Sequence, residues 1–270
     1  AAGDPRGVVD MPQFVPLEPL SSSPVAVVLL QTLECADDWE ADRVFWSGMV
    51  ESLPPGSRLV EARPADESVP SPGEGVLLAR ALENIDQPRL LVVPAGRAWR
   101  QANLFTVLAS RLDHAHMVVL ARPLAKRTLP ARWLHGLSRV LLRVLLALDM
   151  GEAPGWPGWR RWSERLMGWW FLGVRGTDPF SPCRMLRLEV ALALGLQSQG
   201  SMVHGEISAK ANYLGALIDE EPGRVVGAVE PMVPDSRWWR DFRELFHHPR
   251  FAGRPLGRSE TRSSEPVGVP

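Results

Sequence analysis

The chain is 270 residues long, 45% hydrophobic and 23% charged. That composition excludes a fibrous or wholly disordered chain and fits one large globular domain or two small ones. Thirty basic residues meet 31 acidic ones, for a formal charge of −1, which excludes a nucleic-acid binder working by bulk charge.

Residues 1–23 carry Asp4, Arg6, Asp10, Glu18 and four prolines. They lack the apolar run of a secretory signal and are expected to form a flexible arm. Residues 25–32, VAVVLLQT, predict a buried parallel strand. Residues 37–53 place Trp39, Val44, Phe45, Val50 and Leu53 at helical spacing. Pro54, Pro55 and Gly56 stop that helix. A second strand is expected at 58–62, and a proline-rich loop at 63–75. A helix follows at 76–85, a strand at 90–93 ended by Pro94, a helix at 101–112 and a strand at 117–121. This alternation predicts an α/β domain, with a mainly parallel central sheet and helices on both faces.

The pattern changes from Leu129. Residues 134–148 are apolar and helical, interrupted by Arg139 and Arg143. Residues 151–158 form a Gly/Pro/Trp hinge, and 159–171 are short, basic and Trp-rich. Residues 173–187 carry no assigned element; Arg184 and Arg187 share a face if that stretch is helical. Helices are expected at 188–194, 203–214 and 235–246, with a last strand opening at 217–218. The tail, 253–270, is rich in Arg, Ser, Gly, Glu and Pro and is expected to be disordered. No run is long and apolar enough to predict a membrane span.

The chain has 28 Arg but 2 Lys, and 11 Trp but 1 Tyr. Arg132, Trp133, Arg139, Arg143, Trp156, Trp159, Arg160, Arg161, Trp162, Arg165, Trp169 and Trp170 fall in one block. Trp favours a membrane–water interface and Arg favours anionic head groups; the other reading is helices packed on the sheet with Trp in the core. The two cysteines, Cys35 and Cys183, make no disulfide framework and fit a reducing cytosol. Cys183 is either a buried structural thiol or one activated by neighbouring Arg184. His114 with His116, and His247 with His248, lack a third ligand at useful spacing, so no zinc site is expected. No P-loop or G-x-S-x-G occurs.

Residues 173–187, GVRGTDPFSPCRMLR, resemble a segment of family 2 glycosyltransferases. There an Asp precedes a small turn, then an aromatic or Cys, Arg, two apolar residues and Arg or Lys. Gln197 to Gly200, His204 to Glu206, Ala209 to Gly215 and Glu220 to Pro222 continue that family's order. The polyprenyl-phosphate glycosyltransferase-like branch is the most similar. The resemblance implies a single GT-A-type domain over 24–250, with a nucleotide-sugar half at 24–128 and an acceptor half at 129–250. It implies transfer of a hexose, with inversion, from a nucleotide diphosphate donor to a polyprenyl-phosphate or glycan acceptor. A cytoplasmic protein, peripheral on the inner face of an anionic membrane and with no nucleic-acid partner, is the corresponding expectation.

The donor half departs from the family. Magnesium or manganese is expected there on an Asp-x-Asp pair, but Pro94, Ala95 and Gly96 stand at that place. Arg97 follows, and a guanidinium can neutralise a diphosphate bidentately. The first strand is followed by Gln31 to Glu34 rather than the usual Pro-x-x-Asn-Glu, and only Asp66, Glu67 and Ser68 echo the base and ribose motif. The alternative is therefore a catalytically inactive homologue that binds a nucleotide, lipid or partner.

By the resemblance, Asp178 is the base or an acceptor ligand; read alone, it is a turn former before Pro179. Arg184 and Arg187 hold phosphate or pair with a carboxylate such as Glu189. Arg132 and Ser138 match acceptor-contacting positions. Glu206 and Lys210, four apart on one helix, are a solvated ion pair or a structural carboxylate with its partner under the cleft.

Overall fold

The computed structural model describes residues 20, 22–31, 39–64, 72–122, 159–176, 178–222 and 236–252. In chain order the elements are β1 (Val25–Leu30), α1 (Trp39–Glu51), β2 (Arg58–Ala62), α2 (Glu74–Leu82), β3 (Arg89–Pro94), a 3-10 turn (Arg97–Trp99), α3 (Leu104–Leu112), β4 (Met117–Ala121), α4 (Trp159–Leu172), β5 (Arg184–Arg187), α5 (Leu188–Leu194), α6 (Val203–Tyr213), β6 (Ile218–Pro222) and α7 (Trp238–His247). The six strands form one sheet in the order β2-β1-β3-β5-β4-β6. β5 runs antiparallel to both its neighbours, while the other pairings are parallel. The predicted fold class is the one observed.

Strand alternation divides the core. Ala26, Val28, Leu30, Leu90, Val92, Met117, Val119 and Leu186 face α2, α5 and α6. Val25, Val27, Leu29, Leu91, Val93, Val118, Leu120 and Met185 face α1 and α3. β1 is apolar at every position because both its faces are covered. A third cluster gathers Phe180, Met202, Trp238 and Leu245, with Met167, Leu172 and Phe242 packed against it. It joins α4 and α7 to the start of α6.

Two glycines are required by geometry. Gly75, in the first turn of α2, lies so close to the Ser198 carbonyl that a Cβ would collide with it. Its amide donates to the Gln199 carbonyl at 3.1 Å. Gly96 has φ +133°, a conformation L side chains rarely adopt.

The expected helical face for Arg184 and Arg187 is corrected. These residues begin and end β5. Residues three apart on a strand point to opposite faces. The strand expected at 90–93 runs from Arg89 to Pro94 and ends at Pro94, opposite Leu30. The amphipathic segment at 134–148 and the hinge at 151–158 lie outside the described residues, as do 1–19 and 253–270.

Candidate functional site

From β1 the chain moves outward to β2 and then returns to β3 on the other side. This reversal opens a crevice at the carboxyl ends of β1 and β3, where open α/β sheets bind ligands. The edge is laced together there. The Ala95 amide donates to the Leu30 carbonyl at 2.8 Å, and the Gln31 amide to the Ala62 carbonyl at 3.0 Å. Asp42, fully buried on α1, accepts the Gly96 amide at 2.6 Å and also pairs with Arg100 Nε. Buried Trp99 anchors the following turn from inside, so Arg97 stands exposed at the rim. The charge-assisted Asp42 bond and the Gly96 backbone together set where Arg97 emerges.

These residues do not fit a divalent cation. Pro94, Ala95 and Gly96 bring no side-chain oxygen, and Ala95 is buried. Among the described residues no group of three or more His, Cys, Asp or Glu could hold a metal ion. A hard cation needs several oxygen ligands.

The second half of the edge is built on Arg122, just past β4, and Asp178, at the head of the loop into β5. The Arg122 amide and Nε donate to Asp178 Oδ2, both at 2.8 Å, and Nη2 donates to Oδ1 at 2.7 Å. Arg122 Nη2 also donates to Glu164 of α4 at 2.9 Å. The Asp178 amide donates to Glu220 Oε1 at 3.1 Å. Burial alone would lower the Arg122 pKa, but the carboxylates of Asp178 and Glu164 hold it above the usual guanidinium value. Arg165 is pulled below that value by burial, against the opposing charges of Glu220 and Asp178. Both Asp178 oxygens are thus engaged by a buried guanidinium. This geometry makes Asp178 the holder of Arg122 and of the 178–183 loop, and offers no open base.

The loop is fixed further by Ser181, whose hydroxyl donates to the Leu120 carbonyl at 2.6 Å. The Cys183 thiol is fully buried, and burial raises its pKa strongly against the smaller pull of Arg184. Of its two readings, the structural one holds.

Arg184 and Arg187 go to protein carbonyls on opposite sides of the sheet. Fully buried Arg184 donates to the His204 carbonyl at 2.9 Å, to Ser208 Oγ at 3.2 Å and to the Ser181 carbonyl. Burial brings its pKa down to about 10. Arg187 donates to the carbonyls of Leu112 and Ala115, both at 3.2 Å. It therefore caps the C-terminal end of α3, where a cation is favoured. Neither guanidinium stands at the rim as a phosphate ligand.

Glu206 and Lys210 are not a solvated pair. Glu206 is fully buried and accepts the amides of Gln197 and Ser198, both at 2.8 Å. Lys210 Nζ lies 2.6 Å from Glu206 Oε1 and donates to the Gly195 carbonyl at 2.6 Å. Asp241 of α7 continues the pattern by accepting the amides of Gln199 and Gly200, both at 2.8 Å. Two carboxylates thus hold four consecutive amides beneath α2. His204 Nε2 meets Glu74 at 3.0 Å in the same buried layer.

Asp42, Glu74, Glu164 and Asp241 were not singled out from sequence. Their partners lie tens of residues away, and no local spacing marks them. Arg132, Ser138, Glu34, Asp66, Glu67 and Ser68 lie outside the described residues, as do Trp133, Arg139, Arg143 and Trp156 of the Trp/Arg block.

The fold is a single α/β domain whose mixed sheet carries one reversed strand. No family model matches the chain, and no curated protein matches it. Solved structures that resemble it include glucosyl-3-phosphoglycerate synthase from Mycobacterium tuberculosis in complex with phosphoglyceric acid. That structure is 16% identical, with a TM-score of 0.48 over 80% of this chain and 81% of that one. The complex of the same synthase with Mn2+ and UDP-glucose is also 16% identical, at a TM-score of 0.48, over 84% of this chain and 77% of that one. A further structure, described as a mycobacterial protein, is 17% identical at a TM-score of 0.47, over 83% and 72%.

Proposed function

We propose that this chain is a family 2-like glycosyltransferase of the GT-A type. It would move a sugar from a nucleotide diphosphate donor to a lipid-phosphate or glycan acceptor. The observation that carries the reading is the arrangement of the sheet's carboxyl edge. The β1/β3 crevice opens beside exposed Arg97, and the reversed strand β5 brings the 178–183 loop to the same edge. That loop lies within the segment that resembles the family.

In this reading Arg97 supplies the positive charge for the diphosphate, because its planar fork matches two phosphate oxygens. Asp42 and Arg100 keep the turn in place so that little ordering is needed on binding. The Arg122–Asp178 pair sets the acceptor-side loop. Arg132 and Ser138 are assigned to the acceptor by resemblance, and a peripheral position on an anionic membrane goes with a lipid-phosphate acceptor.

A second reading is favoured by the missing carboxylates at Pro94 to Gly96 and by the engagement of Asp178. Under it the chain binds a nucleotide, lipid or partner without turnover. Thermal unfolding with a panel of UDP- and GDP-sugars, with and without manganese, tests both. At a hundredfold excess over Kd a ligand contributes about 2.7 kcal/mol, a rise of roughly 5–10 °C for a domain of this size. Arg97→Ala should remove most of that rise. Protection with sugar release in the presence of acceptor supports the transferase; protection without release supports the binding protein. No protection by any nucleotide sinks both nucleotide readings.

A further inference from the structure

Besides Tyr213, which stacks on Phe251, four large aromatic side chains are exposed on the described surface. Trp170 is 56% exposed, Phe171 51%, Trp239 66% and Phe246 52%. Phe171, Trp239 and Phe246 meet around Phe242 in one patch. The Phe171 ring lies 5.7 Å from Phe242 and 6.0 Å from Phe246, joining the end of α4 to α7. Trp239 is 6.0 Å from Phe242, and Trp170 is packed edge-on against Trp169 at 5.7 Å.

The wheel of α7 explains the geometry. Trp238, Asp241 and Leu245 face the domain and are buried. Trp239 and Phe246, seven apart, share the next stripe outward. Arg243, four after Trp239 and three before Phe246, flanks that stripe and is exposed. Arg240 and Arg250 are exposed as well. Residues 236–252 hold four arginines against two carboxylates, an excess of two positive charges; Asp241 accepts the 199–200 amides and meets Arg240 at 3.4 Å, and Glu244 meets Arg250 at 3.6 Å.

We infer that this aromatic face, with its arginine rim, docks on an anionic lipid surface. A second copy meeting the patch through a two-fold axis would set arginine rim against arginine rim, which is unfavourable. Charge complementarity selects an anionic partner. Half-exposed Trp and Phe rings beside Arg are the chemistry of a helix lying in the head-group layer. The inference rests on the membrane-peripheral part of the reading above and supplies its contact surface. No nucleotide enters its test.

Flotation of the full chain with phosphatidylcholine–phosphatidylglycerol vesicles provides that test. The chain should float with mixed vesicles and not with pure phosphatidylcholine. It should be released as salt rises from about 0.1 M to about 1 M, because the screening length shrinks to about 3 Å. Joint Trp239→Ser and Phe246→Ser substitution should weaken binding at least tenfold. Arg240→Gln and Arg243→Gln should each weaken it by roughly fivefold. Val44→Ser, at a 68% exposed apolar site on α1, should leave it unchanged. Absence of flotation, equal binding to neutral vesicles, or indifference to the aromatic pair overturns the inference. So does a dimer abolished by the same pair, or capture of polyglutamate without vesicle binding. Failure here with nucleotide protection intact removes the surface and leaves the transferase reading standing.

Discussion

Replacing Glu206 with Gln removes one charge from the interior and changes almost no volume. The carboxylate is fully buried and accepts two backbone amides at 2.8 Å and the Lys210 ammonium at 2.6 Å. The carboxamide keeps one accepting oxygen and turns an NH2 toward a group that needs an acceptor. Lys210, 2% exposed, keeps only the Gly195 carbonyl and the face of Phe251. Breaking a buried pair from one side costs about 3–5 kcal/mol, a large part of a typical 5–15 kcal/mol total. Lys210→Met alone should cost less, because Glu206 keeps its two amide donors. The double variant should be more stable than the sum of the single losses predicts, by at least about 1 kcal/mol. Urea unfolding followed by tryptophan emission measures all four proteins. Hydrogen exchange at the Gln197 and Ser198 amides should accelerate in Glu206→Gln. A cost below about 1 kcal/mol, or additive single losses, would refute the claim that this pair holds the loop.

Two other outcomes follow. Gly75→Ala should destabilise despite a helix-propensity gain of up to about 1 kcal/mol, because its Cβ meets the Ser198 carbonyl; a net loss of about 1–3 kcal/mol is expected by chemical denaturation, and a gain would show that the contact relaxes freely. Burial lowers the pKa of His204 and His116, against the opposing pull of Glu74 and Glu189 respectively. The unfolded chain therefore binds more protons just below its own histidine pKa of about 6.5, and stability should fall as pH drops from there toward about 5, by up to about 1.4 kcal/mol per pH unit for each histidine. His204→Gln should flatten part of that slope in pH-resolved melting; an unchanged slope would exclude His204 as its source.

Short apolar runs bounded by turn residues locate β1, β3 and β4, whose faces are covered, and also the half-buried edge strand β2 at 58–62. The VAVVLL run of β1 and the apolar MVVLA run of β4, buried at its first four positions, leave little other choice. β5 was missed because it is four residues long, begins and ends in Arg, and belongs to the sheet only through partners far away. The same distance hid the chemistry of the edge. Arg122 and Asp178 are 56 residues apart, and Asp42 and Gly96 are 54 apart. Glu206 and Lys210 had the spacing of a surface pair, and spacing alone does not report that α6 is covered nearly all round. Arg97 is singled out by resemblance alone, as the residue after Pro94 to Gly96, and the structure shows it exposed.

The reversed strand also dictates an order of events. β2, β1 and β3 can pair as soon as they exist, and so can β4 with β6. β3 and β4 never touch as sheet neighbours; four residues of β5 stand between them. The facing edges of β3 and β4 therefore stay open until β5, made long after both, pairs with them, and β6 follows later still. During synthesis the earlier half must wait, with the β3 edge uncovered, until Arg187 has left the ribosome. Such an edge is a template for wrong pairing. Substitutions that weaken β5 should therefore be felt first as lost yield and aggregation, ahead of any change in what the finished domain binds.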